Sequence, residues 1–569
     1  MAAREDFVAG LGFELDPFQV EAFDALDAGR SVLVAAPTGS GKTLVAEYAI
    51  AKALAEGRKA FYTTPLKALS NQKFGDLVRA HGADKVGLLT GDNSINGDAP
   101  VVVMTTEVLR KMIYAQSGAL MGLRYVVLDE VHYLQNPYRG AVWEEVIIHT
   151  PPEVDLVCLS ATVSNAEEFA TWIQTVRGAT AAVIEERRPV ELQNLYLVGD
   201  RAAEAMHLLP TFVDGVPNAE AAALDNLVRP SGRTSELRQP WARRARGKLF
   251  TPRRADVSEL LWDEQMLPAI YFIFSRAGCD EAVSQCVNAG LRLTTPEERS
   301  RVREIAEAKV EPLSDDDLRV LGYGAWLSGL EAGFAAHHAG MVPPFKEAVE
   351  ACFAEALVKV VFATETLSLG INMPARSVVI EKLTKFTGER HEALTPGEYT
   401  QLTGRAGRRG IDEVGYAVVL WSPFVPFDQV AGLASTRTYA LSSSFRPTYN
   451  MAANLVRRYP ADVAHHLLNL SFAQYRADAD VVRLEADLER KKALLSRAVE
   501  ESRCERGDVA EYMAMVGRQR ESVPTLAAVA ESLDRLRPGD VVMLPKGRAA
   551  VLAKANRRGG DVRVRVLLP

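Results

Sequence analysis

The run Ala36-Pro37-Thr38-Gly39-Ser40-Gly41-Lys42-Thr43 constrains this chain more than any other feature. It follows a short apolar segment, Ser31–Ala35, that reads as a strand, and it precedes a helical pattern beginning at Leu44. In that setting glycines let successive backbone N–H groups converge on an anion at a helix N-terminus. Lys42 then offers a point charge to the β- and γ-phosphates of a nucleotide, and Thr43 a hydroxyl to Mg²⁺. Position 36 is Ala where the general pattern has Gly. A loop of this kind predicts an α/β domain with a parallel sheet, binding ATP with Mg²⁺.

The rest of the chain repeats that alternation twice. Up to about residue 190, strand candidates are Ser31–Ala35, Ala60–Thr64, Val101–Thr105, Tyr125–Asp129 and Leu156–Ser160. The second stretch offers Ala269–Ser275, Val358–Thr364, Ser377–Ile380 and Tyr416–Trp421. Between them, residues 229–254 carry nine Arg or Lys against one acid, which reads as a solvated linker or as an insertion that touches RNA. After about residue 426 the pattern is helical. From Asp478, Val481, Leu484, Leu488, Leu495 and Ala498 fall on an a/d spacing with Lys491 as the misfit. A further helical stretch ends near Arg537. Pro538-Gly539 opens a β segment of about three strands, whose last strand alternates Val562, Val564, Val566 and Leu568 with Arg563 and Arg565. The boundaries expected are therefore 1–190, 191–425, 426–477, 478–537 and 538–569. A length of 569 residues agrees with roughly three to five domains.

The strand ending at Leu128 is followed by Asp129-Glu130-Val131-His132. A carboxylate at the C-terminal edge of a strand, beside a phosphate loop, suits a Mg²⁺ ligand, and Glu130 next to it suits a general base for water.

Asp129–His132, with Ser160-Ala161-Thr162 after the next strand, resembles motifs II and III of the superfamily-two helicases. Gln401-Leu402-Thr403-Gly404-Arg405-Ala406-Gly407-Arg408-Arg409-Gly410 resembles motif VI of the same superfamily. With Phe13-Glu14-Leu15-Asp16-Pro17-Phe18-Gln19 and the stretch from Thr364 to Pro374, the set is similar to the superkiller-type DExH helicases and, among them, the bacterial HelY-type members. The resemblance covers roughly residues 10–475 in ordered motifs. It implies two RecA-like parallel-sheet domains, then a winged helix (426–477), a helical stalk (478–537) and a partial small β-barrel (538–569). It also implies Glu130, Gln401, Arg405 and Arg408 as catalytic residues, the two arginines acting on the γ-phosphate when the domains close. His132, Ser160 and Thr162 would couple hydrolysis to motion. Gly370 and Asn372 would join residues 36–43 at the nucleotide.

Gln19 has two readings. Asp16 is a good N-cap, Pro17 suits the first helical position, and Gln19 falls where a capping box needs it. In the family the equivalent Gln reads the adenine edge while an aromatic such as Phe13 packs on the base, and adenine contact is the reading preferred. Thr64, Pro65, Thr90, Gly91, Thr105, Thr106 and Thr364 each follow a strand or turn. Their agreement with family motifs Ia, Ib and V makes them candidates for sugar and phosphate contacts. His337-His338-Ala339-Gly340 lacks the Cys or carboxylate spacing of a zinc site and is expected to shape the turn before Pro343-Pro344. Residues 381–390 read as a polar-tipped hairpin; in related helicases a hairpin here splits the duplex.

Composition excludes several classes. With 48% hydrophobic and 24% charged residues wholesale disorder is not expected, no uninterrupted apolar run approaches the roughly 18–20 residues of a membrane helix, and the net charge of −7 argues against a protein that simply coats nucleic acid. Five scattered cysteines without a C-x-x-C pair, and no basic-then-apolar leader, predict a reducing cytoplasm. The activity expected is ATP-dependent 3′→5′ translocation on RNA with unwinding. A DNA repair helicase and an ATP-gated RNA clamp are the alternatives.

Overall fold

The structure is a computed structural model that describes residues 2–226, 249–367, 373–386, 390–436, 438–501, 509–522, 526–556 and 562–569. It forms two compact units, residues 1–476 and 477–569.

Two largely parallel sheets with helices packed on them build the first unit. The first sheet contains β1 (Ser31–Ala35), β2 (Lys59–Thr64), β3 (Val86–Leu89), β4 (Ser94–Ile95), β5 (Val101–Thr105), β6 (Leu123–Leu128), β7 (Asp155–Ser160) and β8 (Thr180–Ile184), in the order β4-β3-β5-β2-β6-β7-β1-β8. Only β4 runs antiparallel to its neighbour. β1, β2, β5, β6 and β7 are buried on both faces almost throughout, which is why they read as continuous apolar runs.

The second sheet takes β9 (Glu191–Asp200) and β10 (Ala205–Pro210). A small hairpin of β11 (Phe212–Val213) and β12 (Val216–Pro217) follows outside it. β13 (Leu249–Phe250), β14 (Ala269–Phe272), β15 (Phe334–His337), β16 (Val360–Ala363) and β17 (Ser377–Ile380) come next. A second hairpin, β18 (Thr384–Phe386) with β19 (His391–Ala393), precedes β20 (Val414–Leu420). The sheet order is β10-β9-β20-β17-β14-β16-β15, with β13 also on β9. Most of the basic run 229–254 lies outside the described residues, although Arg254 within it pairs with Glu381 at 2.9 Å.

Strand ends differ from the expected ones where capping intervenes. The segment expected to run to Ser275 stops at Phe272, because Ser275 caps the next helix by accepting from the Gly278 N–H at 3.2 Å. Asp129 lies just past β6 rather than within it.

Residues 426–469 form the helices Phe427–Ser435, Tyr449–Arg458 and Ala461–Asn469, and no strand longer than a single bridge occurs there among the described residues. The long helix expected to begin at Asp478 begins at Phe472 and runs to Glu501. Two groups fix that earlier start: Ser471 Oγ accepts from the Gln474 N–H at 3.2 Å, and Glu144 accepts from the Phe472 N–H at 2.8 Å.

Within the second unit the described residues after Glu501 include the helices Val509–Ser522 and Leu526–Arg535. An antiparallel sheet follows, made of β21 (Val541–Leu544), β22 (Gly547–Asn556) and β23 (Val562–Leu567). In β23 Arg563 and Arg565 are exposed and the valines partly covered. Leu568 lies beyond the strand and is exposed. Leu495 of the expected a/d stripe is exposed too.

Candidate nucleotide site and nucleic-acid groove

Three adjacent strands, β6, β7 and β1, end on one edge of the first sheet. They deliver Asp129-Glu130, Ser160-Ala161-Thr162 and the loop 36–43 to that edge, the C-terminal side where open parallel sheets bind ligands. The loop turns through Gly39 and Gly41, both at positive φ (83° and 90°), and enters the helix Thr43–Ala55. Lys42 is buried and its ammonium donates to the carbonyls of Ala36 (2.7 Å) and Pro37 (3.0 Å). Burial pulls its pKa down, while Glu130 and Asp129 pull the other way and Arg405 adds to the depression. Ser40 Oγ is buried without a hydrogen-bond partner. A positive loop with an orphan hydroxyl fits a phosphate chain.

Asp129 is held rigidly. Its Oδ2 accepts from Tyr62 Oη at 2.7 Å and its Oδ1 from the Glu130 N–H at 2.9 Å. Burial and the neighbouring Glu130 raise its pKa. Glu130 itself sits in the left-handed region (φ 53°), uncommon for a non-glycine residue. His132 is buried and uncharged: burial, with the Lys42 charge, lowers its pKa to about 4. Nδ1 accepts from the Ala161 N–H at 3.2 Å. The proton therefore resides on Nε2, which stands 2.6 Å from Gln401 Nε2; a hydrogen bond there requires the carboxamide turned so that its oxygen faces the ring. Glu130 lies 3.5 Å from Nδ1 without forming an ion pair, because that nitrogen has no proton to share. Ser160 is buried, and its carbonyl accepts from the Ala36 N–H at 3.2 Å; Thr162 is buried beside it.

The second sheet meets this edge through the helix Pro396–Thr403 and the loop after it. Gly404 lets the two lobes approach closely there: an added Cβ would lie 2.9 Å from the Thr400 carbonyl oxygen and 3.0 Å from Thr38 Cβ. Arg405 is buried, which lowers its pKa, and lies within the electrostatic reach of Glu130, which opposes part of that drop. Arg408 does not reach the phosphate loop. Its backbone N–H and guanidinium are bound to Asp412 at 2.8–2.9 Å, and the carboxylate is almost fully buried. Arg409 contacts that loop: it donates to the Ser40 carbonyl at 2.8 Å and pairs with Asp16 at 2.8 Å. Two adjacent arginines carry no sequence signal for which one faces the loop. Gly407 (φ 88°) and Gly410 (φ 77°) flank the pair in the left-handed region.

Gln19 does serve as a cap: its Oε1 accepts from the Asp16 N–H at 2.9 Å, and its Nε2 donates to the Gly41 carbonyl at 3.1 Å. One amide thus ties the helix Pro17–Asp27 to the phosphate loop. Phe13 is 58% exposed. Gly370 and Asn372 lie outside the described residues.

A cavity of about 590 Å³ opens between the lobes, lined in part by Lys67, Gly91, Thr105, Lys111, His338 and Lys346. Thr64, Pro65 and Thr106 do not reach it. Thr64 Oγ1 donates to the Leu66 carbonyl at 3.0 Å and lies 2.7 Å from Ser70 Oγ, and Thr106 donates to the Thr64 carbonyl at 3.3 Å. All three are buried and hold the turn that presents Lys67. Thr90 and Thr364 are half-buried near the ends of β3 and β16. Lys111, Arg139 and Lys346, which also line the cavity, were not legible as site residues: helical periodicity marks Lys111 and Lys346 only as solvent-facing, and Arg139 lies in a turn. His337 and His338 line it too, each against a carboxylate: Glu350 at 2.9 Å and Asp280 at 3.1 Å.

Comparison with known proteins places these elements in a family. The DEAD/DEAH box helicase profile matches residues 16–169, and the helicase conserved C-terminal domain matches residues 319–410. The probable helicase HelY of Mycobacterium tuberculosis is 51% identical over a 584-residue alignment that covers all of this chain and 64% of that protein. HelY of Mycobacterium leprae is 50% identical with the same coverage. The exosome RNA helicase MTR4 of Homo sapiens is 37% identical across 83% of this chain and 45% of its own length. The chain thus spans about two thirds of the HelY proteins and less than half of the human one. With both helicase segments in order on the two sheets, the chain belongs to the DExH-box helicases of superfamily two.

Proposed function

We propose that this chain is an ATP-driven motor that moves 3′→5′ along single-stranded RNA and opens or remodels structured RNA. The observation that carries this reading is the convergence of Lys42, Glu130 and Arg405 from two lobes onto one strand edge. Residues 1–190 and 191–425 are read as the two RecA-like domains, 426–477 as a winged helix, 478–537 as a stalk and 538–569 as a partial barrel. Lys42 and the loop 36–43 bind the phosphates, and Gln19 and Phe13 the base. Thr43 and Asp129 are the residues suited to hold Mg²⁺, which when bound supplies charge neutralisation at the phosphates. Glu130 takes the proton from the attacking water. Arg405 stabilises the charge that develops on the γ-phosphate. The His132–Gln401 contact registers whether the lobes are together. RNA as substrate is supported by the relatives whose names specify RNA helicases. A reducing compartment is supported by four buried free thiols.

The test is ATPase stimulation by RNA and DNA strands of one sequence and length at one salt concentration, with strand displacement from 3′- and 5′-overhang duplexes. RNA stimulation with opening of the 3′-overhang duplex alone is expected. A stronger response to DNA moves the assignment to a DNA repair helicase, and stimulation without displacement moves it to a clamp.

A further inference from the structure

After the helix Phe427–Ser435 the chain leaves the second lobe and crosses to the first. There it lies along the segment that follows Ser160–Thr162. Tyr439 forms a parallel bridge with Val163, and its carbonyl accepts from the Ser164 N–H at 2.9 Å. Asn165 then grips Leu441 in both directions: Oδ1 accepts from its N–H at 2.7 Å, and Nδ2 donates to its carbonyl at 3.0 Å. Leu441 is fully buried in the core of the first lobe. This strap is therefore fixed to the segment after β7 by one backbone–backbone hydrogen bond and two from the Asn165 side chain.

The side chain of Tyr439 faces the other lobe. A Cβ at Gly397 would stand 3.1 Å from two carbons of its ring, so the ring is seated directly on the helix Pro396–Thr403. That helix carries Gln401 and leads into Arg405. Its hydroxyl is buried beside Gln135 and in the field of Glu130. The contacts close into a ring: Gln401 to His132, His132 to Ala161, Ser164 to Tyr439, and Tyr439 back to the helix of Gln401. His132, Ala161 and Ser164 belong to the first lobe and the helix of Gln401 to the second, and Tyr439 comes from neither of the helicase segments matched above.

We propose that Tyr439 is a positioning residue for ATP hydrolysis: wedged between the end of β7 and the helix Pro396–Thr403, it sets where Gln401 and Arg405 stand when the lobes close. This rests on the reading of the site given above. It makes the strap the route by which the segment after residue 426 senses and limits closure. The ring does the wedging, whereas the hydroxyl contributes little.

The experiment uses the full chain with Tyr439→Ala, Tyr439→Phe and Asn165→Ala. Tyr439→Ala is expected to lower the RNA-stimulated kcat about tenfold or more and to leave the KM for ATP within about twofold. Tyr439→Phe should restore most of the lost rate, and Asn165→Ala should resemble Tyr439→Ala. Hydrogen exchange supplies a readout independent of activity: amides of 396–403 should lose protection in Tyr439→Ala while those of 43–55 keep theirs. An unchanged kcat with unchanged exchange overturns the proposal. So does a uniform loss of protection in both helices, which would mean ordinary destabilisation. If the wild-type chain hydrolyses no ATP, the site reading fails, and the exchange result alone decides the wedge.

Discussion

At the scale of single residues, the strand-end chemistry was legible because its spacing is imposed by the ligand. A phosphate loop tolerates few residue types, and Asp129-Glu130 follow a strand of the same sheet, β6, two positions from β1. Lys42→Ala should therefore abolish ATP binding, read as loss of fluorescent-nucleotide affinity in a protein with unchanged melting. Glu130→Gln should retain binding and lose turnover, since the amide is no base; a kcat near wild type would remove Glu130 from that role. The arginines were not separable in sequence, and the geometry now divides their expected behaviour. Arg405→Ala should bind ATP almost normally and lose about 10³–10⁵ in kcat if it acts as an arginine finger. Arg408→Ala should act on stability instead. It takes the guanidinium from the Asp412 carboxylate, which keeps the backbone N–H of residue 408 and has Arg376 at 4.0 Å, so the loss should stay below the about 3–5 kcal/mol of a fully buried, uncompensated charge. Equal melting temperatures for Arg408→Ala and wild type would show that the pair is not what holds the loop.

At the scale of elements, long apolar strands were readable and half-exposed ones were not. β9 begins with an alternating exposed face and β15 has only four residues, so neither stands out as an apolar run. Helix starts escape for a different reason: the helix beginning at Phe472 is capped by Glu144, 328 residues earlier. Glu144 accepts from the Phe472 N–H and from Ser443 Oγ, yet burial dominates and pushes its pKa from 4.5 up to about 7. An acid whose pKa is raised by folding binds its proton more tightly in the native state. Its contribution is fully present below the unfolded value and is lost as pH rises through about 7. A shift of that size corresponds to roughly 3 kcal/mol. Melting temperature should thus fall between pH 5 and pH 8 more steeply in the wild type than in Glu144→Gln, where this titration is gone. Parallel profiles would show that the carboxyl stays ionised in the fold.

At the scale of the whole molecule, what the sequence could not reveal is what joins distant segments. Leu441 and Asn165 are 276 residues apart, and nothing local to either marks the other as its partner. The same holds for the groove, whose cations come from both lobes. A chain of net charge −7 has no general attraction for a polyanion, so affinity must arise where positive groups are concentrated. Lys111 of the first lobe and Lys346 of the second both line the cavity. If each meets a phosphate of a single strand, each bound strand releases its counterions there, and the slope of log K against log salt falls by about 0.7 per contact removed. Lys111→Ala and Lys346→Ala should each flatten that slope by about this amount, and the double variant by about 1.4, with equal effects on all base sequences because only the backbone is touched. Binding should be measured on one RNA strand from 50 to 200 mM salt, with basal ATPase as the control for an intact nucleotide site. If either single variant keeps the wild-type slope, its lysine lies off the path of the strand. If both do, the cavity between the lobes is not where nucleic acid binds.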